Sequence, residues 1–488
     1  MKKLFAILLC FVMLLGLVAC GSFDAPEGSS AGNAAESTTG TASTEGQFLV
    51  GYSKVNITPS YSVPLRGYGD TAKRMSTGYT DYIYATCVAI TGTNGETVLA
   101  YGIDLTNAFS NCFPGYREKI AKAVGIPVEN VHLSCSHMHS GCDMTNTGVS
   151  GVNEYIRDCE KWFIEAAEKA MEDRAPATIQ YNSVATQNLN FVRRYYRSDG
   201  TPAGDNYGLF SSAPIERHET EVDNQLQAIK FLREDDNDII LVNFQTHPHR
   251  NGGSTNTNMT ADIPGVIRTE LENQLGVEVV YFTGASGNVN PTSRISEENI
   301  TKDYKEQGQA LAKHIVEMEG SYTDIPVGPV YALTQEYTGP TDHSQDDKLE
   351  AAQYLYNILN AGGNFNDYLG FAEENGINSK HAVGAIISKA KADSTRTTGV
   401  FAFSVSTLGF AVVPFEMFDT NGKFVKDNSP FTATFVLTCA NQHNTYLPSA
   451  IGYENGGYEA DQALFAPGTG EIIADLYVEM LNELHSQK

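Results

Sequence analysis

Apolar positions along this chain follow two periods that take turns. Short runs rich in Val, Ile, Leu and Phe, bounded by polar or turn residues, predict strands at Glu96 to Ile103, Val131 to Ser136, Ile239 to Thr246, Val277 to Phe282, Gly399 to Leu408, Gly409 to Pro414 and Ala433 to Cys439. Between them, apolar residues spaced by threes and fours predict helices at Tyr116 to Val124, Asn153 to Glu172, Ile263 to Leu275, Thr301 to Glu319, Asp347 to Leu359 and Gly470 to Ser486. Strands alternating with helices predict an α/β fold, read here as one large domain with mixed, partly parallel sheets flanked by helices. The sole tryptophan, Trp162, shares a helical stripe with Tyr155, Cys159 and Ala166, which predicts core packing. No repeat of fixed period is visible.

The N-terminus stands outside this pattern. Met1-Lys2-Lys3 followed by the apolar run Leu4 to Val18 has the charged and hydrophobic regions of a signal peptide and is too short for a spanning helix. Leu17-Val18-Ala19-Cys20 resembles the lipobox of bacterial lipoproteins. That implies removal of residues 1–19 and a lipid on Cys20, which would hold the protein on the outer, extracytoplasmic side of the bacterial cell membrane. Residues 20–46 are Ser, Gly, Ala, Thr and Glu with almost no large apolar side chain, so they predict a flexible tether. Within it Gly28-Ser29-Ser30-Ala31-Gly32 matches a nucleophile-elbow pattern, but neither the strand nor the helix that such an elbow needs is present. The folded domain is expected over 47–488.

The formal net charge is -25, which argues against nucleic acid as a partner and against broad adhesion to anionic lipid, leaving the lipid on Cys20 as the membrane attachment. Past the tether the cysteines are Cys87, Cys112, Cys135, Cys142, Cys159 and Cys439. Their spacing shows no dense framework, and no disulfide is predicted.

Candidate chemistry sits where predicted strands end. The stretch Val131 to Gly141 is a short apolar strand that runs into Ser136-His137-Met138-His139-Ser140-Gly141. If the strand continued, His137 and His139 would point to one side, roughly 6 to 7 Å apart, as a metal site needs. Such a pair is also a common surface pattern, so the reading depends on further ligands. A second apolar strand runs into Thr246-His247-Pro248-His249, and a third leaves Glu416 just past Pro414. Strand-end groups of one α/β sheet can converge at one edge.

Taken in order, these segments resemble the neutral, non-lysosomal ceramidase family. Val55-Asn56-Ile57-Thr58-Pro59 with Gly67-Tyr68 resembles the family's opening, and Ser136 to Gly141 its Thr-His-Thr-His-Ser-Gly. Phe244 to Pro248 is similar to Phe-x-x-His-Pro, Ala261 to Gly265 to the acidic turn before the next helix, and Pro414-Phe415-Glu416 to Pro-Gly-Glu. Asn441 to Tyr446 and Gly457-Tyr458-Glu459-Ala460 resemble its two tyrosine segments, and the likeness spans residues 49–486. It implies zinc on His137, His247, Glu416 and Tyr446, with His139 and Tyr458 facing the substrate. It also implies an arginine near the substrate, for which Arg193 is chosen and Arg194 stays open.

One departure stands out. The family's Gly-Asp-Val-Ser-Pro-Asn is here Gly287-Asn288-Val289-Asn290-Pro291-Thr292, and Asn290 can donate a hydrogen bond but cannot act as a nucleophile. The chain also ends soon after the matched region, so the family's C-terminal β-sandwich domain is expected to be missing. The implied activity is zinc-dependent hydrolysis of an N-acyl amide in ceramide or a related lipid or amine, with His139 moving a proton and Arg193, Tyr458 and Asn290 facing the oxyanion. The alternatives are an esterase or amidase with another substrate, and an inactive surface lipoprotein that binds a lipid or glycan.

Overall fold

The structure, a computed structural model, describes residues 46–487 apart from 70, 206, 208–210 and 235. The signal peptide, the lipid on Cys20 and most of the tether lie outside the described residues. The longer elements are β1 (Leu49–Asn56), β2 (Tyr84–Thr91), β3 (Thr97–Ile103), α1 (Phe113–Val124), β4 (Val131–Cys135), α2 (Val152–Glu172), β5 (Ala175–Ala185), β6 (Gln225–Arg233), β7 (Ile239–Phe244), α3 (Asp262–Leu275), β8 (Glu278–Thr283) and α4 (Tyr304–Glu317). They continue with β9 (Val330–Pro340), α5 (Leu349–Asn360), α6 (Lys380–Lys389), β10 (Thr395–Val405), β11 (Leu408–Val412), α7 (Asp419–Asn428), β12 (Ala433–Leu437) and α8 (Thr469–Ser486).

Two mixed sheets face each other. The first has the order β8-β7-β6-β5-β1-β2-β3-β4, and the second β9-β10-β11-β12. The pairs β3/β4, β7/β8 and β11/β12 are parallel, and the rest of these ladders are antiparallel. Between the sheets lies an apolar core that includes Val98, Ile229, Val280, Phe403, Phe410 and Phe435. Outside, α1 and α2 cover the β1 to β4 half, α3 and α4 the β6 to β8 half, and α7 and α8 the second sheet. The mixed α/β reading holds, and all seven expected strands and six expected helices form with small shifts at their ends. For instance α4 begins later than its apolar pattern, because the Asp303 side chain accepts hydrogen bonds from the Lys305 and Glu306 amides and caps it. Tyr155, Cys159 and Ala166 are fully buried, and Trp162 packs edge-on against Tyr155.

Strands β1, β2, β5, β6 and β9 are additions to the sequence-based reading. Strands β5 and β9 are largely half-exposed, so their residues lack a continuous apolar signal and their pairing with long neighbours decides their conformation.

The first sheet bends until β8 rests on β3. A Cβ at Gly102 would stand 2.6 Å from the Tyr281 carbonyl oxygen, so only glycine permits this approach. The contact brings the carboxyl ends of β4, β7, β8, β11 and β12 together. The Thr438 amide donates to the Thr283 carbonyl (3.0 Å), the Cys135 amide to Cys439 (3.2 Å) and the Cys439 amide to Phe415 (3.2 Å), while the Thr283 hydroxyl donates to Ser136 (2.6 Å). All six cysteines past the tether are buried and unpaired. Among the described residues no helix is long and apolar enough to cross a membrane.

Replacing Gly102 with alanine should destabilise the protein by about 1–3 kcal/mol through overpacking at the β3/β8 contact. Urea unfolding should show the loss.

Candidate metal centre

Strand β4 stops at Cys135, and His137 takes a left-handed backbone conformation (φ 66°). The alternation expected to reach His139 therefore ends at Cys135, and the two histidines meet through a turn: His139 Nε2 lies 3.4 Å from His137 Nε2. Gly67 (φ 117°) closes over them, and a Cβ there would come within 2.5 Å of the His139 Cβ. The same turn is gripped by the buried Arg74, whose guanidinium donates to the Arg66 and His139 carbonyls (both 3.0 Å) and to the Ser140 hydroxyl (3.2 Å).

His137, His247 and Glu416 converge. Glu416 Oε2 stands 3.3 Å from His137 Nε2 and 3.4 Å from His247 Nε2. The far nitrogen of each ring is held by backbone. His137 Nδ1 lies 2.7 Å from the Thr106 carbonyl, with the Cys439 sulfur at 3.3 Å, and His247 Nδ1 lies 2.7 Å from the Ser286 carbonyl. Carbonyl oxygens only accept, so each Nδ1 carries a proton and each ring is held with its Nε2 turned toward the carboxylate. Glu416 Oε2 is itself buried without a hydrogen bond. A tetrahedral ion with bonds of about 2.0 Å separates its ligands by about 3.3 Å, so these three atoms fit one cation. His139 also belongs to the cluster: the ligand nitrogens of His137, His139 and His247 all lie within 4.8 Å of one another.

Burial disfavours charge on every group here. It pushes His139 and His247 well below the usual imidazole value, His247 further because Arg193 adjoins it, and it pushes His249 to about 4. Against the same penalty, the facing imidazoles hold Glu416 well below the usual carboxylate range, and Cys439 and Glu416 raise His137. The floor is thus an ionised carboxylate among mostly neutral imidazoles, which suits a cation.

Tyr446 joins by register, because the two-residue strands Glu416–Met417 and Tyr446–Leu447 pair in parallel with Glu416 opposite Tyr446. Its hydroxyl accepts from Arg193 Nη2 (3.1 Å). Arg193 also donates to Glu459 (2.7 Å), the Gly287 carbonyl (2.8 Å) and Asn290 Oδ1 (3.3 Å), with Nη1 3.4 Å from His247 Nε2. Arg194, the next residue of an extended segment, points away. It is fully buried on Glu219 (2.7 Å), Glu459 (2.9 Å) and the Gly452 carbonyl (3.0 Å). Asn290 Oδ1 also meets His249 Nε2 (3.0 Å), while one of its amide protons goes to Asp205 (2.7 Å) and leaves the other free. Tyr458 stands edge-on to Tyr446 with ring centres 5.7 Å apart. It lines, with His137, His139, Glu416 and Tyr446, a cavity of about 280 Å³.

Two residues that were not singled out from the sequence complete the arrangement. His249 follows His247 by two positions and is held by Asn290. Glu459 follows Tyr458 and binds both arginines; a buried carboxylate beside a site tyrosine was its only signal. Glu459→Gln should cost about 3–5 kcal/mol, because it leaves the buried Arg193 without a carboxylate and Arg194 with Glu219 alone. Guanidinium unfolding measures it.

No protein-family model matches the chain, and no curated protein matches it. Solved structures do. The neutral ceramidase from Pseudomonas aeruginosa superposes with a TM-score of 0.65 at 18% identity, covering 90% of this chain and 75% of that one. A ceramidase complexed with C2 superposes with a TM-score of 0.67 at 16% identity, covering 90% and 76%. At these identities the likeness concerns architecture, and over nine-tenths of its length this chain has the fold of the neutral ceramidases.

Proposed function

We propose that this protein is a zinc-dependent amidohydrolase that cleaves an N-acyl bond, in ceramide or a related N-acyl lipid or amine. The observation that carries this reading is the 3.3 and 3.4 Å spacing of His137 Nε2 and His247 Nε2 from Glu416 Oε2, with both imidazoles fastened from behind by backbone carbonyls so that Nε2 is turned toward the carboxylate. Tyr446 is the fourth ligand in this reading. A zinc ion held there would lower the pKa of a water toward about 7 and polarise a substrate carbonyl.

The chain's own residues do the rest. His139 is neutral, has an unpartnered Nδ1 and opens on the cavity, so it can take a proton and return it to the leaving amine. Arg193 presents fixed N–H donors beside His247 and Tyr446, Tyr458 adds a phenol, and Asn290 retains one amide proton. Each donor aimed at the developing oxyanion contributes roughly 3 kcal/mol. The structural neighbours are ceramidases, which supports an N-acyl lipid substrate. Residues 1–20 support export and a lipid on Cys20, placing the enzyme on the outer face of the bacterial cell membrane.

Purified protein should hold about one zinc per chain by mass spectrometry. His137→Ala should lose both the metal and the hydrolysis of N-acyl substrates, and an active metal-free preparation would sink the reading. His139→Ala should keep the metal and slow turnover roughly 10²–10⁴-fold.

A further inference from the structure

The cavity above the metal ligands contains a charge that the hydrolytic residues do not use. Among the described residues lining it, Arg66 is the one arginine or lysine and Glu416 the one carboxylate, and Glu416 belongs to the floor. In a chain of net charge -25, a cation facing this cavity is selective by its sign. The Arg66 guanidinium makes no hydrogen bond among the described residues. Among the described residues its nearest carboxylate is Asp143, with which it forms a long ion pair of 3.7 Å. That carboxylate is already occupied by the Thr71 hydroxyl (2.7 Å) and by the Thr145 hydroxyl (2.6 Å) and amide (3.1 Å).

Arg66 is nevertheless fixed in place. Its amide donates to the Gly141 carbonyl (2.8 Å), and its carbonyl accepts from the buried Arg74 (3.0 Å). The side chain is 37% exposed, and its charge acts on His443 and Tyr458, both of which line the same cavity. A second feature points to a polar occupant. Asn107, 3% exposed and also lining the cavity, has an amide oxygen without a partner. Pockets for drug-sized ligands run to roughly 300–1,000 Å³ and are mostly apolar. At about 280 Å³, with Arg66, His381, His443, Gln462 and Asn107 in its walls, this one suits a compact polar group.

Building on the amidase reading, we propose that Arg66 is a specificity-determining residue and that the preferred substrate is an N-acyl amide bearing an anionic group, carboxylate or phosphate, that pairs with it. A guanidinium held by its backbone and lacking a carboxylate partner at hydrogen-bond distance is preorganised for such a group, which it can bind with two parallel N–H donors. A wholly neutral amide leaves it, among the described residues, with the long 3.7 Å ion pair to Asp143 alone.

The test uses zinc-loaded protein with N-octanoylglycine, its uncharged counterpart N-octanoylglycinamide, and N-octanoylethanolamine phosphate. Octanoate release gives kcat/KM, and calorimetry on the slow His139→Ala protein gives affinity. Either anionic ligand should bind roughly 10- to 100-fold more tightly than the glycinamide, as for a hydrogen bond to a charged group. Arg66→Gln should erase that preference, and Arg66→Lys should keep part of it. A preference for one anion over the other identifies which group the site takes. Equal affinity for charged and uncharged ligands, or a preference that survives Arg66→Gln, overturns the proposal. Retained anion preference without octanoate release from any ligand would overturn the amidase reading alone.

Discussion

Three electron-rich atoms, His137 Nε2, His247 Nε2 and Glu416 Oε2, are held 3.3 to 3.4 Å apart in a buried pocket. Left to themselves such atoms would separate or take up protons. They stay together because each imidazole is fastened from behind by a backbone carbonyl, and because those carbonyls belong to loops that leave the tied ends of the strands. The left-handed turn at His137 and the missing Cβ at Gly67 serve the same end. A cation resolves the lone-pair conflict for all three atoms at once, whereas a proton resolves it for two.

Around this floor runs a second network in which Glu459 holds Arg193 with one carboxylate oxygen and Arg194 with the other. The adjacent arginines face opposite ways, one toward His247 and Tyr446 and the other into a structural cage with Glu219. The donor beside His247 and Tyr446 is therefore anchored through Glu459 to a structural cage, and in the proposed reaction it would need no reorganisation. On the other side of the cavity the backbone of Arg66 is fixed, and its guanidinium makes, among the described residues, only the long ion pair with Asp143.

Much of the fold was legible. Strands β3, β4, β7, β8, β11 and β12 are buried on both faces and mostly apolar, and those are the strands whose ends carry or position the site. Strands β5 and β9 escaped notice because their half-exposed residues pair with long neighbours that lie far away in sequence. The outcome at His137 and His139 has a similar cause. Alternation along an extended chain predicts one shared face, whereas the loop that actually holds them depends on Gly67 and Arg74, some 70 residues earlier.

By itself the sequence determined that apolar strands end in histidine, in His-Pro and in Pro-Phe-Glu, since local composition sets both the strand and the turn that ends it. It also determined the order of segments shared with a known family. Only the tertiary structure decided that these ends meet, because their meeting rests on β8 lying against Gly102 and on hydrogen bonds between residues as much as 300 positions apart. It decided as well that Arg193 rather than Arg194 faces His247, that Glu459 serves both, and that Arg66 lines the cavity with only a long ion pair to Asp143 among the described residues. Those outcomes depend on distances between side chains brought together by folding, which no local pattern of residues encodes.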